Sequence, residues 1–179
     1  MLLKLEKIID RFSDVMGWIA GFLNLVMLVN VFYDSIMRYF FRTGSIAMQE
    51  LEWHLFSIVF LFGMAFCLKE DGHVRVDILY DRFPPRWKAI VNIAGTLLFL
   101  IPLSVLIIEG SVWYVHEAYT INEISGDPGG LTHRWLIKAV IPASFVFLVV
   151  SALGFILRNI SIYRGVEEAR VRRIEDEIL

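Results

Sequence analysis

Four histidines are the first residues in this 179-residue chain to weigh for cofactor or proton chemistry. Axial haem ligation needs two of them facing each other at similar depth within helices. His54 opens the apolar stretch Trp53–Leu68, His73 follows it, and His116 and His133 flank a polar segment. No pair falls in mid-stretch, so hydrogen bonding at an interface is the better account of all four. A b-type haem anchor of a respiratory complex stays open as an alternative reading. Cys67 is the single cysteine and lies inside an apolar stretch. It supports neither a disulfide framework nor a thiolate metal site, and packing is its expected use. No activated nucleophile, phosphate loop or metal-ligand spacing is present, so neither an enzyme nor a cofactor is expected.

Charged and amide side chains form a second group. Asp34 and Arg38 stand four apart on one helical face, and Glu50 and Glu52 approach from the next helix. A carboxylate near lipid needs a cationic partner, which predicts a structural polar cluster joining the two helices. Asn24, Asn30 and Asn92 are the most polar residues inside the apolar stretches, and helix–helix hydrogen bonds suffice to explain them. His73, Arg75 and Asp77 alternate with Val74 and Val76. An extended segment would project the three polar residues to one side; alternatively, Asp77 caps a following short helix.

The elements that position these groups follow from composition. Hydrophobic residues make up 57% of the chain, against about 45–50% for an ordinary soluble domain. The 17 basic and 19 acidic residues avoid four stretches entirely: Val15–Tyr33, Trp53–Leu68, Ala89–Ile108 and Ala139–Leu157. A soluble helix keeps a polar stripe, and these do not, so an all-α integral membrane protein with four transmembrane helices is predicted. The spans are placed at about 15–37, 48–68, 87–110 and 136–158 of a membrane domain covering 15–158. Residues 1–14 read as an amphipathic interfacial leader, with Leu2, Leu5, Ile8, Ile9 and Phe12 at helical spacing. Residues 159–179 read as a charged tail. A net charge of −2 with no basic face excludes nucleic-acid binding.

Of the 17 Lys and Arg, 13 lie in the termini and in the segment 69–88, and only Arg38, Arg42, Arg134 and Lys138 lie in the other two connections. Cytoplasmic segments concentrate Lys and Arg, which predicts both termini inside and the stretches 34–52 and 109–138 outside. Within the connections, Pro84-Pro85 should start the third helix, and Pro102 should kink it unless neighbouring helices restore the lost backbone bond. In the outer segment, helix is expected to about Ile124, a break at Gly126-Asp127-Pro128-Gly129-Gly130, and Thr132 as the cap of the fourth helix. No internal repeat or pair of broken helices is visible, and transporters usually build their site from such features. An autonomous small transporter is therefore a weaker alternative, and an assembly factor weaker still. Fourteen Phe, among them Phe56, Phe60, Phe62, Phe66, Phe99, Phe145, Phe147 and Phe155, exceed what four helices need for mutual packing. They point to a partner surface or to lipid.

Taken in order, several segments resemble one family. Gly72-His73-Val74-Arg75-Val76-Asp77 follows the second span, Arg38-Tyr39 ends the first, and Ser45 and Glu50 precede the second. Pro84-Pro85-Arg86 leads into the third span. Glu123-Ile124-Ser125, Pro128-Gly129-Gly130-Leu131 and Trp135-Leu136-Ile137-Lys138 make up the last outer segment. From about Ile19 to Arg158 the chain resembles the small permease subunits of tripartite ATP-independent periplasmic (TRAP) transporters, the DctQ-like proteins. The resemblance implies a one-to-one partnership with a large permease that carries the substrate and sodium sites and moves in an elevator-like manner. It also implies a periplasmic binding protein that delivers an organic acid anion, and a bacterial inner-membrane location among lipids. On that basis Arg38, Tyr39, Glu50, Gly72, His73, Arg75 and Asp77 are the expected contacts to this chain's own loops or to the large subunit.

Overall fold

The computed structural model describes residues 2–72, 80 and 82–165, with side chains from residue 5. His73, Arg75 and Asp77 lie outside the described residues. Every regular element among those described is helical: α1 (Leu2–Phe40), α2 (Ile46–Lys69), α3 (Pro85–Thr120) and α4 (Trp135–Tyr163). All four are long and apolar enough to cross a membrane. At 1.5 Å per residue, α1 and α3 each run more than about 50 Å, well beyond a hydrocarbon core of about 30 Å.

α1 is one unbroken helix from Leu2, so residues 2–14 continue directly into the first span. They also touch the bundle. Phe12 meets the edge of Phe147 at 5.4 Å, and Ser13 Oγ lies 2.8 Å from Ser151 Oγ, buried between α1 and α4. Gly154 makes the crossing close: a Cβ there would stand 2.6 Å from Ile9 Cγ2. Gly17 plays the same part toward Phe66 of α2. Lipid tails are as apolar as leucine, so membrane helices associate through small residues and short polar bonds rather than a large greasy core. The near-complete burial of Ala65, Ala89, Ala118 and Ala152 fits that logic. The central apolar cluster is small: Leu68, Leu148, Ala152 and Phe155, lined by Met64, Leu100, Ile101 and Phe145.

α4 is the hub. It packs on α1, α2 and α3, whereas α3 packs extensively on no other helix among the described residues. α1 lies along α2, and α2 and α3, though consecutive, are not packed together.

All four helices stop in the same way. Arg42, Asp71, Asn122 and Gly165 each stand two residues past a helix and adopt positive φ, between 50° and 69°. After α2, Gly72 N donates to Cys67 O (2.9 Å) and Asp71 N to Leu68 O (3.2 Å). After α3, Glu123 N donates to Ala118 O (2.9 Å) and Asn122 N to Tyr119 O (3.1 Å). These are paired bonds that satisfy the last carbonyls of a helix.

Three details differ from what the sequence predicts. The third helix ends at Thr120, not near Ile124, because Asn122 turns left-handed and sends the chain back. Thr132 does not cap α4: Arg134 occupies that position without a side-chain cap, and Thr132 Oγ1 bonds His133 Nδ1 at 2.8 Å. Pro102 leaves α3 continuous but is preceded by a π turn over Thr96–Leu100, with Ile101 N bonded to Thr96 O. A proline ring crowds the carbonyl four residues earlier, and one wider turn relieves that crowding without ending the helix. Pro85 occupies the first helical position of α3, with Pro84 before it.

Candidate functional site

The polar side chains gather at the two ends of the bundle. At the end holding residues 121–134, Glu50 leaves the first turns of α2 and reaches into that connection. Its Oε1 accepts from Ser125 Oγ and its Oε2 from the Leu131 backbone N–H, both at 2.5 Å. The segment is fitted to receive it. Ser125 N donates to Leu131 O at 3.0 Å, Gly130 N to Asp127 O at 3.0 Å, and Asp127 N to Ser125 Oγ at 3.1 Å. A Cβ on Gly130 would lie 2.8 Å from Glu50 Oε2, so this position has room only for glycine. The carboxylate thus closes a turn that offers it one backbone and one side-chain donor.

Glu123 secures the other side of the segment. Its carboxylate pairs with Lys138 of α4, and its backbone O accepts from Arg134 N at 3.1 Å. Arg134 Nε stays 3.9 Å from the Glu123 carboxylate, and its guanidinium lies over the Trp53 ring, 5.4 Å from the centre. Lys138 Nζ stands 3.9 Å from the centre of the Tyr114 ring. Cations over aromatic faces are favourable, more so where water is scarce.

Asp34 is almost wholly buried in α1 and is paired with Arg38, whose side chain is 51% exposed. Glu50 does not join Asp34 and Arg38, because it turns away to Ser125 and Leu131, while Glu52 lies near enough to act on the Arg38 guanidinium electrostatically. A direct hydrogen bond between α1 and α2 comes from Asn30, whose Nδ2 donates to Met48 O at 3.0 Å. Tyr39 is exposed. His54 is buried and stacked on Trp53 with ring centres 4.0 Å apart.

At the opposite end, Lys69 of α2 donates to Asp14 of α1 at 2.5 Å and lies 3.1 Å from Glu70. Arg158 of α4 donates to Lys69 O at 3.2 Å. Gly72 closes the α2 cap, where a Cβ would meet Cys67 Sγ at 3.2 Å. Deeper in the bundle, Asn92 Nδ2 donates to Asn159 Oδ1 at 2.8 Å and ties α3 to α4. Tyr80 OH donates to Asn92 Oδ1 at 3.1 Å.

Arg38, Glu50 and Gly72 thus occupy structural junctions, each of a different kind. Sequence reasoning misses the pairs Glu123–Lys138 and Asp14–Lys69. Both link residues from separate segments, and no spacing rule announces such pairs. It misses Asn159 too, although an amide near the end of an apolar helix is the sort of residue that seeks a partner. No group of three or more metal-ligating side chains is found among the described residues.

The arrangement is four apolar helices, joined by short polar bonds and clasped at both ends. A family model for tripartite ATP-independent periplasmic transporters, DctQ component, matches residues 27–161. The chain belongs to the DctQ family. A Haemophilus influenzae (strain Rd) protein described as a TRAP transporter small permease is 32% identical over 138 residues, covering 75% of this chain and 84% of its own length. The C4-dicarboxylate TRAP transporter small permease protein DctQ of Vibrio cholerae is 29% identical over 116 residues, 63% of this chain and 48% of that protein. The sialic acid TRAP transporter permease protein SiaT of Haemophilus influenzae (strain 86-028NP) is 23% identical over 153 residues. That match takes up 83% of this chain but only 24% of SiaT. Membership in the DctQ family makes this chain a multi-pass small permease subunit of a TRAP transporter. The family is one of transporter subunits, not a family of enzymes.

Proposed function

We propose that this DctQ-family subunit is a fixed scaffold for a separate large permease, which carries out sodium-coupled uptake of organic acid anions. The observation that carries the reading is the placement of its charges. Ion pairs sit at the two ends of the bundle, at Asp14–Lys69 on one side and at Asp34–Arg38 and Glu123–Lys138 on the other. The apolar stretches between them hold no Asp, Glu, Lys or Arg, and His54 stands at the edge of one. A path for ions through a bilayer is usually marked by ionisable groups at intermediate depth. A clasped bundle without charge at that depth suits holding a partner better than moving an ion.

A surface for that partner is available on α1. Trp18, Phe22, Leu25, Val29 and Phe32 are exposed at alternating steps of four and three residues. That spacing makes one continuous seam along a helix, suited to interlocking with another helix. The match to about a quarter of SiaT is consistent with the same unit serving inside a much longer permease chain. The proposed orientation puts both termini and the segment 69–88 in the cytoplasm of a bacterial inner membrane, following the bias of Lys and Arg. A periplasmic binding protein then delivers substrate at the face bearing residues 121–134. Arg38, Glu50 and Gly72 hold this chain's own junctions, while Tyr39, His73, Arg75 and Asp77 are assigned to contacts with the large permease.

The test is reconstitution. Liposomes with an inward sodium gradient receive the large permease with or without this chain, and loaded binding protein is added outside. Uptake is expected only when both subunits are present, with substrate binding to the soluble protein unchanged. Full-rate uptake by the large permease alone would overturn the scaffold reading.

A further inference from the structure

Because α2 and α3 do not pack together, a cleft runs between them, floored by α4. Its half nearest residues 121–134 is a slot of about 350 Å³. Aromatic and aliphatic side chains, Phe56 and Phe60 of α2 and Ile137 and Ile141 of α4 among them, line its length. Arg134 and Lys138 are the only charged residues that line it among those described. Among the described residues no carboxylate lines the slot; outside it, Glu123 pairs with Lys138, and Glu123 and Glu50 act on Arg134 only at longer range. The Arg134 side chain is 28% exposed, but its Nε is buried and finds no acceptor among the described residues, with Glu123 too far at 3.9 Å to supply one. A buried guanidinium N–H without an acceptor calls for an oxygen, and a guanidinium favours phosphate oxygens.

We propose that this slot binds one anionic phospholipid, with its phosphate on Arg134 and Lys138 and an acyl chain laid between α2 and α3 along Phe56, Phe60 and Ile141. Basic pockets between membrane helices are suited to anionic headgroups. The aromatic rings of Trp53 and Tyr114, each beneath one of the cations, place the charge at the depth where headgroups begin. A helix of a partner protein would fill the apolar length but would bring no phosphate to the cations. Only the leaflet, the outer one, depends on the orientation proposed above; the binding does not.

The test is native mass spectrometry of the full chain in mild detergent with equimolar dioleoyl phosphatidylglycerol and dioleoyl phosphatidylcholine. One phosphatidylglycerol is expected to be retained, favoured over phosphatidylcholine by roughly tenfold. Arg134→Gln removes the acceptor-seeking group, and Ser57→Trp fills the slot while leaving both cations; each should lower retention by about tenfold. Ser57 bonds only the Trp53 carbonyl of its own helix, so this second variant should fold. A measurement on the unaltered chain stands beside them: phosphatidylglycerol brominated in mid-chain should quench tryptophan emission more than brominated phosphatidylcholine. Equal retention of both lipids, unchanged retention in both variants, or loss of the bound lipid when the large permease is added would each overturn the proposal.

Discussion

Glu50 Oε2 accepts the backbone N–H of Leu131 at 2.5 Å, tying the first turns of α2 to a segment 81 residues later in the chain. One carboxylate therefore fixes how the connection between α3 and α4 lies over the end of the bundle. A hydrogen bond to a charged acceptor is stronger than a neutral one, and a donor left without a partner in a buried place is costly.

Glu50→Ala should free the Leu131 amide and the Ser125 hydroxyl together. Hydrogen exchange at Leu131 is expected to quicken by roughly tenfold or more, while amides in mid-α4 keep their protection. Unchanged exchange at Leu131 would show that the backbone turn holds without its carboxylate.

Close helix crossings give a second prediction. Gly154→Val places a Cβ 2.6 Å from Ile9 Cγ2, and such overpacking costs about 1–3 kcal/mol. A Cβ added at Gly21 would meet nothing within 4 Å, so Gly21→Ala should be neutral or gain up to about 1 kcal/mol from helix propensity. Thermal unfolding of the two variants in the same detergent checks the contrast. Equal behaviour would mean that α1 and α4 do not cross at Gly154.

The amide pair Asn92–Asn159 lends itself to a double-mutant cycle. Replacing each by Leu, alone and together, should yield a coupling of about 0.6 kcal/mol and no more than about 1.7 kcal/mol, the range seen for interhelical bonds in membranes. No measurable coupling would place the 2.8 Å contact among those that contribute nothing to stability.

Orientation can be read by labelling. With Cys67, the only cysteine, changed to Ala, a new cysteine at Asp127 should react with a membrane-impermeant maleimide on intact cells. One at Gly165 should react only after permeabilisation. The reverse pattern would overturn the topology drawn from the Lys and Arg distribution.

The helices are legible in the sequence because a charge-free run of 16 or more residues has few other uses. The start of α3 at Pro85 is legible too, since proline is well suited to the first helical turn and little else in a helix. Less is visible where the outcome depends on which distant segments meet. Glu50 stands out, but its position in the sequence points to partners on α1, when the donors are Ser125 and Leu131. Asp34 and Arg38 are readable as a pair because helical spacing alone brings them together. Lys138 stands out only within the family segment, and its pairing with Glu123 requires the turn at Asn122, whose left-handed backbone is no more than a weak preference of asparagine. The π turn before Pro102 is a similar case: sequence names the disturbance, but not the wider turn that accommodates it.

The central place of α4 also sets an order of assembly. α1 and α2 can pair as soon as both have entered the membrane, but α3 has no extensively packed neighbour among the described residues except α4. Until the fourth helix is in place, the third lacks its main packing surface, and Asn92 lacks the Asn159 partner that ties the two together. A nascent chain halted before Trp135 would hold a finished hairpin and a solitary helix. The fourth helix is the one that makes the other three a single body.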